Sequence, residues 1–448
     1  MSLSRKITVA LFLALCLASQ GRVLSAAAEE GSALSRLLRG IELRGWLRNE
    51  TAYRLGDSGR LVKTENVARI ETILRPHPSA EVNAMGRAIY APVNLLEEEK
   101  GLGARPLDRW KSSNSFEVEL REFYLDIFTH LADLRLGKQQ VVWGKADGLR
   151  VLDVINPQEF REFILGDFIE ARIPLWMFKG DFFLGDYTLE ALWIPDFETN
   201  HSAQAGTEYS APLFTADPGV QTARLPPAEP SDGIPNSELG LRISRFYRGW
   251  DLTVNYFYTW EDDPALFTSL DTSTGTLVIK PGHERVHIAG GTFSNAFGST
   301  VLRGELGYVF DKPFAASSAV SGGVMEKNFI NYVIALDYTV HPSLFISGQL
   351  FQQVITTSRD EDLLRRRSSV SLSLMVRSDF LHETLMPQVL ILWNADDGDY
   401  LIRPRVSYQV TDRLKLTLGL DLFGGDRRGF FGRFADKDRI YTGIDYMF

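Results

Sequence analysis

The sequence predicts an all-β protein, a single up-and-down transmembrane β-barrel of about 16 to 18 antiparallel strands. Three observations support this prediction. Apolar and polar residues alternate along most of the chain, the connections between the alternating segments are short and long in turn, and the chain ends in an amphipathic segment that closes with Phe448. These features together are typical of proteins that cross the bacterial outer membrane with strands.

The N-terminal residues predict an exported protein. Arg5 and Lys6 precede the apolar stretch 7–18, and three alanines at 26–28 supply small residues for a signal peptidase. No later apolar run approaches the roughly 20 residues that a membrane helix needs. The predicted organisation is a signal peptide, a short periplasmic segment and an outer-membrane barrel, at residues 1–28, 29–38 and 39–448.

Cysteine usage and charge narrow the function classes. Cys16 is the single cysteine; it raises a lipoprotein alternative, but Leu15 before it is bulky for a lipid-attachment site. If Cys16 leaves with the signal peptide, disulfides, thiolate catalysis and Cys-zinc sites are excluded from the mature chain. The formal charge is −9, and it becomes −12 once residues 1–28, with three basic residues and no acid, are removed. An acidic chain argues against nucleic acid as a partner.

The last strand decides between a barrel and a soluble sandwich. One side of the segment 439–448 is apolar, as expected for contact with lipid, and the other is more polar, as expected for a lumen. The apolar side consists of Ile440, Thr442, Ile444, Tyr446 and Phe448. The lumen side consists of Arg439, Tyr441, Gly443, Asp445 and Met447. A terminal Phe with an aromatic residue two positions earlier resembles the C-terminal signature of outer-membrane barrels.

Connection lengths support the same choice. The alternation places eighteen segments between 39–53 and 437–448, of which 172–181 is weak, so sixteen strands remain an alternative. Short turns alternate with long connections, as expected when turns face the periplasm and loops face the outside. The long connections are 92–114, 144–171, 195–235, 261–283, 311–326 and 424–436.

Charged residues on the inward parity predict a wet lumen wall of mixed charge. These charges either select solutes or pair across neighbouring strands and hold the barrel shape. The predicted wall residues are Glu42, Arg44, Arg48, Arg69, Glu71, Glu117, Glu119, Arg135, Arg242, Arg303, Glu305, Arg377, Arg403 and Arg405.

The third external loop, 144–171, is the candidate constriction. Asn156 is a suitable helix cap, Pro157 suits the first helical position and Glu159 can complete a capping box, so a short amphipathic helix is expected. Its apolar stripe would contain Phe160, Phe163, Ile164 and Ile169. The alternative is a loop packed at the rim. The candidate constriction residues are Lys145, Asp147, Arg150, Asp153, Glu159 and Arg161.

The same region carries a family resemblance. LGKQQVVWG at 136–144, followed by DVINP at 153–157, resembles a motif of proteobacterial porin-like barrels of largely unassigned function. The segments 225–230, 239–242 and 249–256 are similar to the same group. That group is associated with exporters of the resistance–nodulation–division class and with lipid or hydrophobic cargo, so the resemblance implies transport.

Other polar groups could support different chemistry. His283 and His287 share one parity, and His287 is expected to face the lumen. His283 lies in a Pro-Gly turn and no carboxylate of suitable spacing joins the two, so no metal site is predicted. No signature of an outer-membrane phospholipase or protease is present, so no enzyme activity is predicted. The basic run Arg365, Arg366 and Arg367 follows acids at 360–362; it either contacts lipopolysaccharide phosphates or pairs within its own charge cluster.

The predicted function is a porin-like channel for solute passage, or the outer-membrane component of an export or lipid-transfer system. The alternatives are a closed structural, adhesion or receptor barrel, and an outer-membrane enzyme. The expected partners are outer-membrane lipid and lipopolysaccharide, the barrel-assembly machinery through the C-terminal strand, and an inner-membrane exporter. No cofactor is expected.

Overall fold

The described residues form one closed sheet. The computed structural model describes residues 41–56, 59–92, 115–203, 206–210, 221–317, 322–356 and 363–448. The predicted signal peptide and periplasmic segment lie outside these ranges. Eighteen antiparallel strands form a single barrel, which confirms the predicted fold class and the upper strand count. In the described ranges, no helix has both the length and the hydrophobicity needed to cross a bilayer.

The barrel strands are called β1 to β18 in chain order. Their bounds are β1 Ile41–Arg54, β2 Arg60–His77, β3 Ala80–Tyr90, β4 Phe116–Phe128, β5 Ala132–Gln139, β6 Leu175–Leu184, β7 Tyr187–Ile194, β8 Glu238–Tyr247, β9 Trp250–Trp260, β10 Arg285–Phe297, β11 Thr300–Ala315, β12 Val324–His341, β13 Leu344–Thr356, β14 Ser368–Ser378, β15 Leu385–Asn394, β16 Asp399–Thr411, β17 Leu414–Gly424 and β18 Arg439–Met447. Each strand pairs with the next, and short 3-10 turns occur at Ile234–Asn236 and Gly432–Phe434.

Pairing between the first and last strands closes the barrel. β1 and β18 pair from Trp46 opposite Met447 to Arg54 opposite Arg439. Closure leaves no sheet edge with unpaired backbone groups in the hydrocarbon layer. The outer face is apolar on alternate residues; Val254 is 69% exposed there, whereas its neighbour Asn255 is 3% exposed on the inner face. This alternation is the one that the sequence predicts.

The two ends of the barrel differ. Two-residue turns such as 78–79 and 248–249 lie at one end, beside the C-terminal residue, and the long connections lie at the other. In outer-membrane barrels the short turns face the periplasm, so the long connections are external loops. Four of these loops are named by their order among the external loops: L3 is 140–174, L4 is 195–237, L5 is 261–284 and L9 is 425–438.

Two predicted boundaries were wrong. The sixth loop was predicted at 311–326, but β11 and β12 continue pairing to Ala315 opposite Val324, past a bulge where Asp311 has a φ of 53°. The fifth strand was predicted to reach residue 143, but it ends at Gln139 because the chain then turns into the lumen. L4 and L5 also carry strands of their own: Thr222–Arg224 pairs with Thr276–Gly282, which pairs with Ala265–Asp271.

The inner wall is not polar throughout. On β6 to β13, many inward side chains are apolar and buried, contrary to the uniformly wet wall that the charge pattern predicts. They are Leu175, Met177, Leu192, Ile194, Phe257, Val286, Ile288, Val309, Phe314, Phe329, Val333, Phe351 and Ile355. The first half of L3 covers this wall, which explains why an apolar inner face can remain out of water.

Candidate constriction in the barrel lumen

L3 enters the lumen and packs against the apolar wall. Leu152 of L3 is 0% exposed, and its side chain lies over two glycines of the wall. A Cβ built on Gly290 would lie 2.7 Å from Leu152 Cδ2, and one built on Gly307 would lie 3.1 Å from the same atom. A larger residue at either position would displace Leu152. The two glycines therefore form a hole in the wall that receives this part of L3.

A buried carboxylate fixes the same part of L3. Glu305 of β11 is 3% exposed. Its Oε1 accepts hydrogen bonds from the backbone amides of Lys145 and Ala146, the latter at 2.5 Å, and its Oε2 accepts one from Leu152 at 3.0 Å. Hydrogen bonds to an ionised acceptor are stronger than neutral ones. Glu305 thus replaces the backbone partners that L3 gives up by leaving the sheet.

Ion pairs add to this attachment. Lys145 Nζ lies 2.6 Å from Asp251 of β9, and Asp147 lies 2.5 Å from Arg303 of β11. Gln349 of β13 donates to the backbone oxygen of Asp147 at 3.1 Å. The first half of L3 is therefore held by three strands of one wall.

The second half of L3 reaches the opposite wall. Glu162 lies 2.5 Å from Lys63 of β2 and 3.2 Å from Arg439 of β18. Glu170 pairs with Arg69 of β2 and lies 3.2 Å from Arg87 of β3. L3 therefore crosses the lumen from one side to the other.

An aromatic cluster holds the turn of L3 on that opposite wall. The ring centroid of Phe163 lies 4.7 Å from that of Phe430 and 4.8 Å from that of Phe434, both in L9. Arg403 of β16 donates to the backbone oxygen of Leu165 at 2.7 Å. Phe163 has a φ of 56°, a strained conformation for a residue with a Cβ. Contacts with L9 and β16 keep it in this conformation.

The predicted helix in L3 is absent. Asn156 does not cap a helix; its side chain accepts from the amide of Val141 at 2.7 Å and donates to the oxygen of Ile173 at 2.8 Å, which joins the two ends of L3. Glu159–Phe160, expected in the first helical turn, instead pairs with His201–Ser202 of L4 as two short parallel strands. Contacts distant in sequence therefore override the capping pattern.

The six candidate constriction residues all lie on L3, inside the barrel, and each has a partner. Beyond the pairs of Lys145 and Asp147, Arg150 pairs with Asp153, which also lies 2.9 Å from Arg172, and Arg161 lies 2.9 Å from Glu159. The Asp147 side chain is 53% exposed, more than any other side chain in these pairs. It is therefore the candidate best placed to meet a solute.

The fourteen predicted wall residues lie on the strand faces that point into the lumen. Most of them pair, as in Arg135 with Asp126 at 2.6 Å and Arg403 with Asp421 at 2.7 Å. Arg377 and Arg405 are exceptions to this pairing. Among the described residues neither has a carboxylate partner; Arg405 donates to Gln388 at 2.9 Å, and Arg377 lies over the Phe345 ring. The register places Gln388 between these two arginines, so they form a basic patch.

The remaining candidates lie elsewhere. His287 was expected in the lumen, but it points outward, where its Nδ1 lies 2.6 Å from the Tyr256 hydroxyl; Val286 and Ile288 occupy the inner face because L3 covers them. Among the described residues, no group of acids and histidines could hold a metal ion. Arg366 lies 2.8 Å from Asp397, and Arg365 lies beside Gln353 at the lumen mouth. The acids 360–362 lie outside the described residues.

A buried histidine joins L4 to L3. His201 lies 3.6 Å from Glu159 of L3 and 3.9 Å from Glu198. Burial lowers the pKa of His201, but hydrogen bonds and charge interactions with these two carboxylates outweigh it and raise that pKa to about 9. The charged imidazolium therefore ties the external loop L4 to L3 at neutral pH.

A cavity of about 390 Å³ lies in the external half of the lumen. L3 forms one side, and β10 to β13 form the other with Val286, Ile288, Val309 and Phe329. The start of L5, at 261–263, contributes acidic residues to its rim. Its volume is within the range of small-molecule sites, roughly 300–1,000 Å³.

A family model described as a protein of unknown function, DUF1302, matches residues 75–448. The chain belongs to the DUF1302 family. No curated protein matches it. Solved structures share its fold. OccK8 (OprE) of Pseudomonas aeruginosa is 12% identical, the match covers 92% of this chain and 98% of that chain, and the TM-score is 0.53. OccAB4 of Acinetobacter baumannii is also 12% identical, the match covers 91% of this chain and 98% of that chain, and the TM-score is 0.53.

A third similar structure is P. aeruginosa OpdK with vanillate, at 12% identity, with 92% of this chain and 99% of that chain covered and a TM-score of 0.50. At these identities the likeness shows the fold. This member of the DUF1302 family therefore has the fold of outer-membrane porins. Its closed barrel of eighteen strands with an apolar outer face places it in the outer membrane.

Several residues that build the site were not predicted. Glu190 of β7 is 2% exposed, accepts from Trp143 Nε1 of L3 and lies 2.9 Å from Arg242. Gly290 and Gly307 were not singled out either. A Gly-Gly pair at 290–291 within an alternating strand is the one sequence signal for a close approach of another segment.

Proposed function

We propose that this protein is a porin-like channel for solute passage, with L3 as its constriction. The observation that carries this proposal is the course of L3, which crosses the lumen and is attached to opposite walls through Glu305 on β11 and Lys63 on β2. An inward loop that narrows the lumen sets pore size and places charges where a solute must pass. The porin fold supports the same function.

A second candidate is the outer-membrane component of an export or lipid-transfer system, working with an inner-membrane exporter. The apolar inner wall of β6 to β13 favours it, because side chains such as Phe329 and Ile288 suit a hydrophobic cargo better than a hydrated ion. Under this candidate the cargo enters the cavity between L3 and this wall, and the basic patch lies at the periplasmic entrance.

The competing proposal is a closed structural, adhesion or receptor barrel. It draws support from the many paired charges on the wall, because a fully paired interior can act as a plug. The two proposals differ in whether ions cross the lumen.

Conductance of the purified protein in planar bilayers tests the channel. We expect discrete current steps, and Asp147→Ala should shift the reversal potential toward anions because a half-exposed negative charge leaves the constriction. Asp186→Ala is the matched control, since Asp186 lies in a short turn outside L3 and its side chain is 75% exposed. Silence at all voltages from protein that migrates as a folded barrel on unboiled gels would favour the closed barrel.

A further inference from the structure

The cavity in the external half of the lumen has an apolar body. Phe160, Phe163 and Ile164 of L3 line it on one side, and Phe329 and Ile288 of the wall line it on the other. Such a surface favours the carbon skeleton of a small ligand, because apolar area leaves water on binding.

The cations that line this cavity already have partners. Lys312 Nζ lies 2.5 Å from Glu261. Arg150 pairs with Asp153, donates to the oxygen of Phe168 at 2.6 Å and stacks on that ring at 3.7 Å. The cavity lining therefore offers no unpaired positive charge to an anion.

Two hydrogen-bond acceptors in the lining have no donor. Gln158 is 5% exposed, and its side-chain Oε1 is buried without a partner, although its Nε2 donates to Asn156. Within the described part of the chain, no hydrogen bond or ion pair reaches the carboxyl group of Asp262. Asn200 joins the two residues: its Oδ1 accepts from the backbone N–H of Gln158 at 2.7 Å, and its own backbone N–H donates to the Asp262 backbone oxygen at 3.4 Å.

The surroundings of Asp262 are also negative. Burial raises the pKa of Asp262 well above its usual range, and the carboxylates of Glu238, Glu261 and Asp263 raise it further, whereas the Lys312 ammonium lowers it. A buried acceptor without a donor is costly, and a carboxyl group among other carboxylates gains from a nearby cation. A positively charged donor at this end of the cavity would satisfy both acceptors.

We propose that the cavity between L3, L5 and the β10–β13 wall binds a small amphipathic cation, an amine with an aromatic or short aliphatic body. The ammonium group donates to Gln158 Oε1 and Asp262, and the body lies on the apolar lining. The proposal concerns binding at the external mouth and does not depend on conduction through the lumen.

Calorimetric titration of the full-length, detergent-solubilised protein tests the proposal. Three probes of the same body are compared: 2-phenylethylamine, 2-phenylethanol and 3-phenylpropanoate. We expect the amine to bind at least about tenfold more tightly than the alcohol and the carboxylate, because a charged hydrogen bond is the stronger one. Equal binding of all three, or preference for the carboxylate, would overturn the proposal.

Variants locate the site. Asp262→Asn should weaken amine binding about tenfold, and Gln158→Glu should strengthen it, because the change adds a negative charge at the unpartnered acceptor. Asp412→Asn, in a short turn at the other end of the barrel, is the matched control. If Asp262→Asn fails to fold, Gln158→Glu still decides, since unchanged or weaker amine binding contradicts the proposal. Bilayer currents measured separately show whether the channel proposal stands or fails on its own.

Discussion

Replacing Glu305 with Gln tests how L3 is held in the lumen. The carboxylate accepts three backbone amides of L3, from Lys145, Ala146 and Leu152. Glutamine keeps one carbonyl oxygen, and its NH₂ group faces at least one amide that then lacks an acceptor. A buried unpaired N–H costs about 1–3 kcal/mol, and the loss of charge from the remaining bonds costs about 1 kcal/mol more. The expected change of about 2–4 kcal/mol shifts the docking equilibrium of L3 about 30- to 900-fold.

Hydrogen exchange measures this shift directly. In Glu305→Gln the backbone amides of Lys145, Ala146 and Leu152 should exchange about 30- to 900-fold faster than in the wild type. Single-channel currents should also fluctuate more. Glu326→Gln, an exposed glutamate on the neighbouring strand β12, should change neither. If the three amides of Glu305→Gln exchange at the wild-type rate in a folded barrel, Glu305 is not the anchor.

Three further predictions follow from the lumen contacts. Leu152→Ala leaves the hole at Gly290 and Gly307 empty and should destabilise the docked loop by about 2–5 kcal/mol. This is measured as faster hydrogen exchange of the L3 amides, and an unchanged exchange rate would contradict the packing argument. Arg377→Gln combined with Arg405→Gln removes the basic patch and should lower the anion preference of the channel, read from the reversal potential under a KCl gradient; an unchanged potential would place the patch off the ion path. Because the pKa of His201 is raised from 6.5 to about 9, its charge stabilises the L3–L4 contact fully below about pH 6.5, and this is lost as pH rises through 9. Proteolysis of residues 195–203 should therefore increase between pH 7 and 10 in the wild type and show no such trend in His201→Gln.

The strands were predictable because each one is a local pattern. Leu416 and Leu418 are 39% and 52% exposed on the outer face, and the residue between them faces the lumen, as period two requires. The segment 172–181 was weak, but it corresponds to β6, Leu175–Leu184, shifted by three residues. Strand parity and turn chemistry are properties of neighbouring residues, so one sequence contains them.

The position of L3 between β5 and β6 was predictable, but its conformation was not. The length and motifs of L3 indicated an inward loop, whereas its conformation depends on Glu305, Gly290 and other wall residues more than a hundred positions away. The misplacement of His287 has the same origin. Val286 and Ile288 were read as facing lipid because they are apolar, but an inner wall can also be apolar where a loop covers it.

The two attachments of L3 determine how a solute can pass. Apolar clusters hold both halves, one around Leu152 on the β10–β13 side and one around Phe163 on the L9 side. Removing the loop from the lumen would expose both clusters to water at once, which costs far more than breaking one ion pair. In the proposed channel, a solute would therefore pass beside a loop that stays in place, and selectivity would be set by the fixed charges that remain in contact with lumen water. Asp147, Arg377 and Arg405 are among the described residues that meet this condition, which is why substitutions at these positions should alter ion preference while leaving the barrel folded.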